Sequence, residues 1–320
     1  MEDRATMYTR RNSVYLRSFL VGAAVAAALA AAAPARAQHD DFGDVQVVAT
    51  PLGHGLAMLA GAGGNMVVSA GPDGVVLVDD EFAPLHQKIK DAIAKLSDKP
   101  VRFVLNTHWH GDHTGGNEEF AADGAVVIAQ DNVYERLSAE QFVKHIHRHV
   151  PPAPKGALPV VTFNDQATLH LNGLTVRLVH VARAHTDGDV LVDFPEANVL
   201  HMGDCFFNGK YPIIDTGTGG TIDGYIAAVE KGLDLSNGAT QIVPGHGPLG
   251  NQPELAAFAA MLHMARDRIA ALKDAGRTLA ETRAAHPTQG LDPKWGKGFV
   301  TPDMFVEMVY DTLPAPAAKP

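Results

Sequence analysis

His108, His110, Asp112 and His113 put four ligand-type side chains within six consecutive positions, just after the apolar run Val101–Leu105. Along an extended chain, residues two apart point to the same side, so His108 and His110 can converge on one cation. Gly111 permits a sharp bend that would carry Asp112 and His113 toward a second position close by. Imidazoles and a carboxylate without thiolates suit zinc first, with manganese or iron as the other candidates. The single cysteine, Cys205, excludes an intrachain disulfide and a zinc site built on two or more thiolates. A structural site would be closed by four protein ligands. A catalytic one keeps a position for water, so shared ligands and a hydroxide between two ions are the expectation.

Such a cluster needs strands that end beside one another. Met66–Ala70 and Val75–Asp79, separated by Gly71-Pro72-Asp73-Gly74, read as a hairpin. Leu85, Ile89, Ile93 and Leu96 repeat at helical spacing until Pro100, and Val101–Leu105 then reads as a strand that runs into the histidine cluster. Val126–Ala129 is a further strand, and a polar helix is expected from about Asn132 to His149. On that helix only His145 and His149, of the alternating His145, His147 and His149, would share a face. Strands follow at Thr168–Leu171, Leu174–Val181, Val190–Phe194, Val199–Met202 and Gln241–Val243, with a helix over Ile222–Leu235. Asn251 and Glu254 frame a capping box for a helix that closes near Gly276, and Thr301-Pro302 opens a last amphipathic helix using Phe305, Met308 and Val309. Many strands are hairpin-linked, which excludes a purely parallel doubly wound sheet and suits two packed sheets with helices outside.

The chain has 320 residues, of which 46% are apolar and 19% charged, so it can bury a sizeable core. Five arginines and two acids lie in residues 1–37, leaving 21 basic against 34 acidic residues, a net −13, on the remainder. A body that acidic repels phosphate backbones and anionic membranes, so nucleic acid and stable membrane association are not expected. Residues 1–37 run basic, apolar, then small: Arg10, Arg11 and Arg17 precede the stretch Phe19–Ala33, and Ala35-Arg36-Ala37 offers a cleavage site. That pattern predicts a secretory signal, by the general or the twin-arginine route, and a mature chain in the periplasm or outside the cell.

His-Trp-His-Gly-Asp-His resembles the H-x-H-x-D-H signature of the metallo-β-lactamase superfamily. The resemblance continues in order through Val78-Asp79, Ala184-His185-Thr186-Asp187-Gly188-Asp189, Met202-Gly203-Asp204 and Pro244-Gly245-His246-Gly247, over about residues 45–250. It implies an α+β fold, a four-layer αββα sandwich, with the domain at 38–276 and a helical extension with a loose tail at 277–320. It further implies two zinc ions per chain. His108, His110 and His185 would hold the first, Asp112, His113 and His246 the second, and Asp204 would bridge them. Asp79 would orient the ligand loop, and Asp112 would orient the metal-bound hydroxide and shuttle its proton. Neighbours in an extended chain point oppositely, so only one of Asp204 and Cys205 is expected to reach the metals, and the Gly203-Asp204 pair of the resemblance favours Asp204.

The implied activity is hydrolysis of an acyl bond in a small-molecule substrate. β-Lactam-type cyclic amides rank first, lactones and thioesters a close second, and an iron-dependent redox reaction lower, because diiron relatives carry Glu where His110 stands. Within that family, hydroxyacylglutathione and homoserine-lactone hydrolases use a bridging aspartate, and the best-known lactamase subclass has a cysteine there. Lys210 and Tyr211 are weak candidates for contacting the substrate carboxylate or oxyanion. Trp109 could wall the pocket or pack in the core, His180 and His201 suit satisfied core positions, and the glycines of 61–64 suggest a flap bordering the cleft.

Overall fold

The computed structural model describes residues 42–315, so the expected signal at 1–37 and the end of the tail lie outside the described residues. Its first sheet begins with antiparallel β1 (Val48–Gly53), β2 (Leu56–Ala60), β3 (Met66–Gly71) and β4 (Gly74–Val78). It continues in parallel with β5 (Val101–Leu105) and β6 (Val126–Gln130), which are reached through α1 (His86–Ala94), α2 (Gly111–Thr114) and α3 (Asn117–Ala122). Past α4 (Asp131–Leu137), β7 (Gln141–Val143) and β8 (Arg148–Val150) form a small hairpin of their own, and β9 (Val161–Phe163) returns to pair with β6. The second sheet runs in chain order through β10 (Gln166–Leu171), β11 (Leu174–His180), β12 (Val190–Phe194), β13 (Val199–His201), β14 (Gln241–Val243) and β15 (Gly250–Asn251). The helices α5 (Ile222–Leu235), α6 (Gln252–Asp274), α7 (Leu279–Ala284), α8 (Asp292–Trp295) and α9 (Pro302–Thr312) complete the chain.

Alternation along the strands explains the layering. Val67, Val76 and Val78 enter a core shared with Val176, Leu178, Val190, Val192 and Phe194 of the second sheet. Their neighbours Val68, Val75 and Leu77 instead meet Leu85, Ile89, Ile93 and Phe120 on the outer face. Consecutive residues thus face opposite sides of one sheet, and both sides are apolar because both are covered. On the far face, Leu191, Leu200 and Ile242 pack against α5, α6 and α9 through Val229, Phe258, Phe305 and Val309. The result is the expected four-layer sandwich of helices, sheet, sheet and helices. Phe305, Val306, Met308, Val309 and Leu313 of the C-terminal segment belong to the same core cluster as Met202 and Phe206. Among the described residues, no helix is long and apolar enough to cross a membrane.

One element departs from expectation. The helix expected from about Asn132 to His149 stops at Leu137, and the chain turns into the β7–β8 hairpin. Val133 and Leu137 supply the only buried contacts of α4, and beyond them Ser138-Ala139-Glu140 offers nothing to bury. Gln141 and Val150, Phe142 and His149, and Val143 and Arg148 pair across the hairpin instead. His145 and His149 therefore share no helix face. His149 is exposed and its Nδ1 lies 3.2 Å from Glu140 Oε1.

Candidate metal centre

Strand ends from both sheets meet at one edge of the sandwich. β4 delivers Asp79, β5 delivers Thr107 to His113, β13 leads into Asp204, and β14 leads into His246. The turn after β11 carries His185. Two ligand groups form there: His108, His110, His185 and Asp204 in one, Asp112, His113 and His246 in the other, with the donor atoms of each within 4.8 Å of one another. The structure thus brings together all seven side chains singled out in the sequence.

Hydrogen bonds decide which nitrogen of each ring is free. Thr107 Oγ1 donates to Asp79 Oδ2 (2.8 Å), so His108 Nδ1 must donate to Thr107 Oγ1 (3.0 Å) and its Nε2 keeps a lone pair. His110 Nε2 lies 3.0 Å from Asp215 Oδ2 and donates to it, leaving Nδ1 bare. His185 Nδ1 donates to Ile213 O (2.8 Å), leaving Nε2 bare and 2.8 Å from His110 Nδ1. His113 Nδ1 donates to Asp79 Oδ2 (2.8 Å), which turns its Nε2 toward Asp204 Oδ1 at 3.1 Å. Asp204 faces both groups, with Oδ2 3.4 Å from His185 Nε2 and Oδ1 3.4 Å from His246 Nε2. Asp112 Oδ2 is 3.2 Å from His246 Nε2.

These atoms fit metal ions on their own evidence. His108 Nε2, His113 Nε2 and Asp204 Oδ1 are buried without any hydrogen bond, a costly state for polar atoms unless a cation completes them. The electrostatics agree. Burial holds His108 well below the usual imidazole range and His185 at about 4, so both stay neutral, the form that ligates metal. In the other group, burial opposes protonation of His246, but the Asp204 charge and the Asp112 contact outweigh it and lift the ring to about 9. Burial likewise opposes protonation of His113, and the charges of Asp204, Asp112 and Asp79 overcome it. That surplus of carboxylate is what a cation would neutralise.

The ligands stand on supports of two kinds, expected and missed. Asp79, whose role the resemblance implied, accepts from Thr107 N (2.8 Å), Thr107 Oγ1 and His113 Nδ1 and is fully buried with φ +59°. Asp215 went unnoticed in the sequence. Burial alone would raise its carboxyl, but the His110 hydrogen bond and charge bring it to about 2. It also accepts from Thr218 Oγ1 (2.8 Å), to which the buried Trp109 Nε1 donates at 3.3 Å, so Trp109 is a core residue tied to this network. The signal was a lone acid closing the apolar run Ile213-Ile214, where a carboxylate needs a buried partner. Asn65 was missed too. Its Nδ2 donates to Pro244 O and Gly247 O, both at 2.9 Å, and so clamps the loop of His246. His201, satisfied as expected, accepts from Gly203 N and donates to Asn65 O. Tyr225 OH donates to the backbone oxygen of Asp204. Cys205, next to Asp204, turns into the core.

The 61–64 turn, whose glycines suggested a flap, borders the site and is hydrogen-bonded to it. Gly64 N donates to Asp112 O (3.1 Å), and Ala62 N to Glu81 Oε2 (3.1 Å). A Cβ on Gly64 would lie 2.1 Å from His113 Cε1, so the glycine serves close approach to the ligand ring. A cavity of about 220 Å³ opens on Asp112 and His246, with Phe207, Lys210, Tyr211 and Phe299 among its walls. Tyr211 is stacked on Phe305 at 4.4 Å and its hydroxyl donates to Asp292 Oδ1 (2.8 Å), so it offers the cavity a ring wall. Among the described residues, the Lys210 side chain has no ion-pair partner.

Comparison with known proteins bears on the same stretch. A profile described as the metallo-beta-lactamase superfamily matches residues 58–275. The chain is similar to a 2,4-dinitroanisole O-demethylase subunit alpha of Nocardioides sp., 27% identical over 143 residues, 43% of this chain and 40% of the relative. It is also similar to a hydroxyacylglutathione hydrolase of Anaeromyxobacter dehalogenans, 30% identical over 199 residues, 60% of this chain and 69% of the relative. For the first-ranked curated relatives the match spans about two-fifths of their length. Among solved structures, a metallo-beta-lactamase from Pontibacter korlensis superposes with a TM-score of 0.56 at 20% identity, covering 68% of this chain and 99% of the other. That likeness concerns the fold, and the profile covers every ligand position from His108 to His246. The strand ends, the seven gathered donors and the profile converge on one assignment: the chain belongs to the metallo-beta-lactamase superfamily.

Proposed function

We propose that the protein is a dinuclear zinc hydrolase that cleaves an acyl bond in a small molecule, with thioesters and lactones ahead of β-lactams. The observation that carries this reading is Asp204, one carboxylate with an oxygen toward each ligand group. The similarity to hydroxyacylglutathione hydrolases supports the order of substrates. His108, His110 and His185 would hold one ion and Asp112, His113 and His246 the other, with Asp204 common to both. Bound there, zinc would act as a Lewis acid that lowers the pKa of water toward about 7 and polarises the acyl carbonyl.

The chain's own residues do the rest. Asp112 is ionised despite burial, because His113 and His246 outweigh desolvation, and its side chain remains 29% exposed at the cavity floor. Its Oδ2 is where the proton of the attacking water is held in transit. Asp215, Ile213 O and Thr107 keep the three rings of the first group in the ligating tautomer. Phe207 and Phe299 line the cavity with apolar rings, and the unpaired Lys210 can grip an anionic group of the substrate. That cation is also what favours the second reading, β-lactam opening, since such drugs carry a carboxylate. We retain export as part of the proposal, on the pattern of residues 1–37.

The test is turnover of S-lactoylglutathione, an acyl-homoserine lactone and nitrocefin by protein loaded with two equivalents of zinc. A thioester or lactone should exceed nitrocefin about tenfold or more in kcat/KM, within the range that pocket contacts can discriminate. The reverse order would promote β-lactams, and inertness toward all three with both ions bound would refute hydrolysis. Asp112→Asn should cut kcat strongly while the circular dichroism spectrum stays that of the parent.

A further inference from the structure

We propose that the segment between α8 and α9, Gly296–Val300, forms an acyl-selecting wall, and that the substrate carries an apolar acyl arm lodged between Phe299 and Phe207. The inference rests on the hydrolase reading above and specifies the substrate class of that same site. Phe299 is 67% exposed, the second most exposed large apolar side chain described, and it lines the cavity that opens on Asp112 and His246. A lone exposed aromatic elsewhere would need no explanation. Here it lines the same cavity as Val300, Ile213 and Phe207, and the Phe207 ring centroid lies 5.0 Å from that of His246. Phe207, Ile213, Phe299 and Val300 make most of the lining apolar, and besides Asp112 and His246 the charged group in it is Lys210.

The segment is fastened to the Lys210-Tyr211 loop, which lines the same cavity. Tyr211 N donates to Trp295 O (2.8 Å), and Tyr211 OH donates to Asp292 Oδ1 (2.8 Å). Gly298 lies against the Lys210 stem so closely that a Cβ there would sit 3.3 Å from two of its carbons. Trp295 and Val300, at its two ends, are buried in the helical core. Phe299 is thus an exposed ring on an anchored backbone, which suits selection by fit. An arm long enough to reach it removes apolar surface on both partners from water, worth about 0.8 kcal/mol, or about fourfold, per fully buried methylene.

Two measurements on the zinc-loaded full chain test this. In calorimetry, acetate and octanoate serve as product-like probes, and octanoate should bind at least tenfold tighter. In kinetics, the octanoyl-to-acetyl ratio of kcat/KM for matched thioesters should exceed tenfold. Phe299→Ala should lower both ratios about tenfold, with the kinetic loss in KM, whereas a merely structural role would affect both chain lengths alike. Turnover with a flat chain-length series, or ratios unchanged in Phe299→Ala, overturns the wall. Absence of all turnover with the octanoate preference intact, and lost in Phe299→Ala, sustains the wall and removes the hydrolase reading. Absence of both turnover and preference removes both.

Discussion

The two ligand groups differ in how completely the chain builds them. In the first, His108, His110 and His185 are buried or nearly so, and each ring has its far nitrogen fixed by an oxygen of the chain. In the second, among the described residues, only His113 has such an anchor, in Asp79. Asp112 and His246 keep 29% and 23% of their side chains exposed, and His246 leans on the Phe207 ring. One half is a finished socket and the other an open seat under the cavity. The difference teaches where rigidity is spent: the closed half sets orientation, and the open half faces the incoming molecule. On the proposed zinc reading, an ion in the first group should accordingly bind more tightly than one in the second.

Asp204→Ala should break this division most severely, because its carboxylate serves both halves. Metal analysis after desalting should find well under two zinc ions per chain. Activity should fall by more than the roughly 10–100-fold typical of a lost supporting residue. Two zinc ions retained at full activity would mean that the halves are independent. Asp215→Ala and Asp79→Ala form the sharper pair. Asp215→Ala should cost about 10–100-fold in affinity in the tighter step of a competitive chelator titration, whereas Asp79→Ala, which holds His113 directly and His108 through Thr107, should weaken both steps and the weaker one more. Identical effects on both steps would erase the distinction.

The smallest effect concerns the turn that carries His185. Asp189 accepts from Thr186 N (2.7 Å) and pairs with Thr186 Oγ1 (2.6 Å), and burial pushes its carboxyl up to about 7. The folded chain therefore holds a proton that the unfolded chain releases near pH 4. Its contribution falls as pH rises from about 4 to about 7, then levels off. Asp189→Asn mimics the protonated form. Thermal melts should show the variant gaining on the parent across that window and keeping the gain at pH 8, while an unchanged difference would place the titration elsewhere.

What could be read in advance follows a physical rule. His108 to His113 stood out because ligand types crowd one turn after an apolar strand, and β5, α5 and β14 appear at the residues expected from periodicity and turn signals. Asp204 is separated from Cys205 by the Gly203-Asp204 pair of the resemblance and not by strand alternation, since Gly203–Cys205 forms a short helical turn. Asn65 left no local pattern, because its partners are more than 170 residues away, and Asp215 left only the weak one of an acid closing an apolar run, its partner His110 being 105 residues away. The β7–β8 hairpin escaped for a related reason. Its short strands carry little apolar alternation, and cross-strand pairing rather than local propensity decides them. β1 and β2, also unassigned beforehand, owe their place to packing under the second sheet through Leu52, Leu56 and Met58.

The direction in which Cys205 points has a chemical corollary. Its sulfur lies in the apolar interior, 1% exposed, where burial pushes the thiol well above its usual range. It stays protonated and out of reach, so neither peroxide nor an alkylating agent meets a nucleophilic sulfur there. Among the described residues the candidate ligand set is made of oxygen and nitrogen donors, so it offers no thiolate for an oxidant to attack.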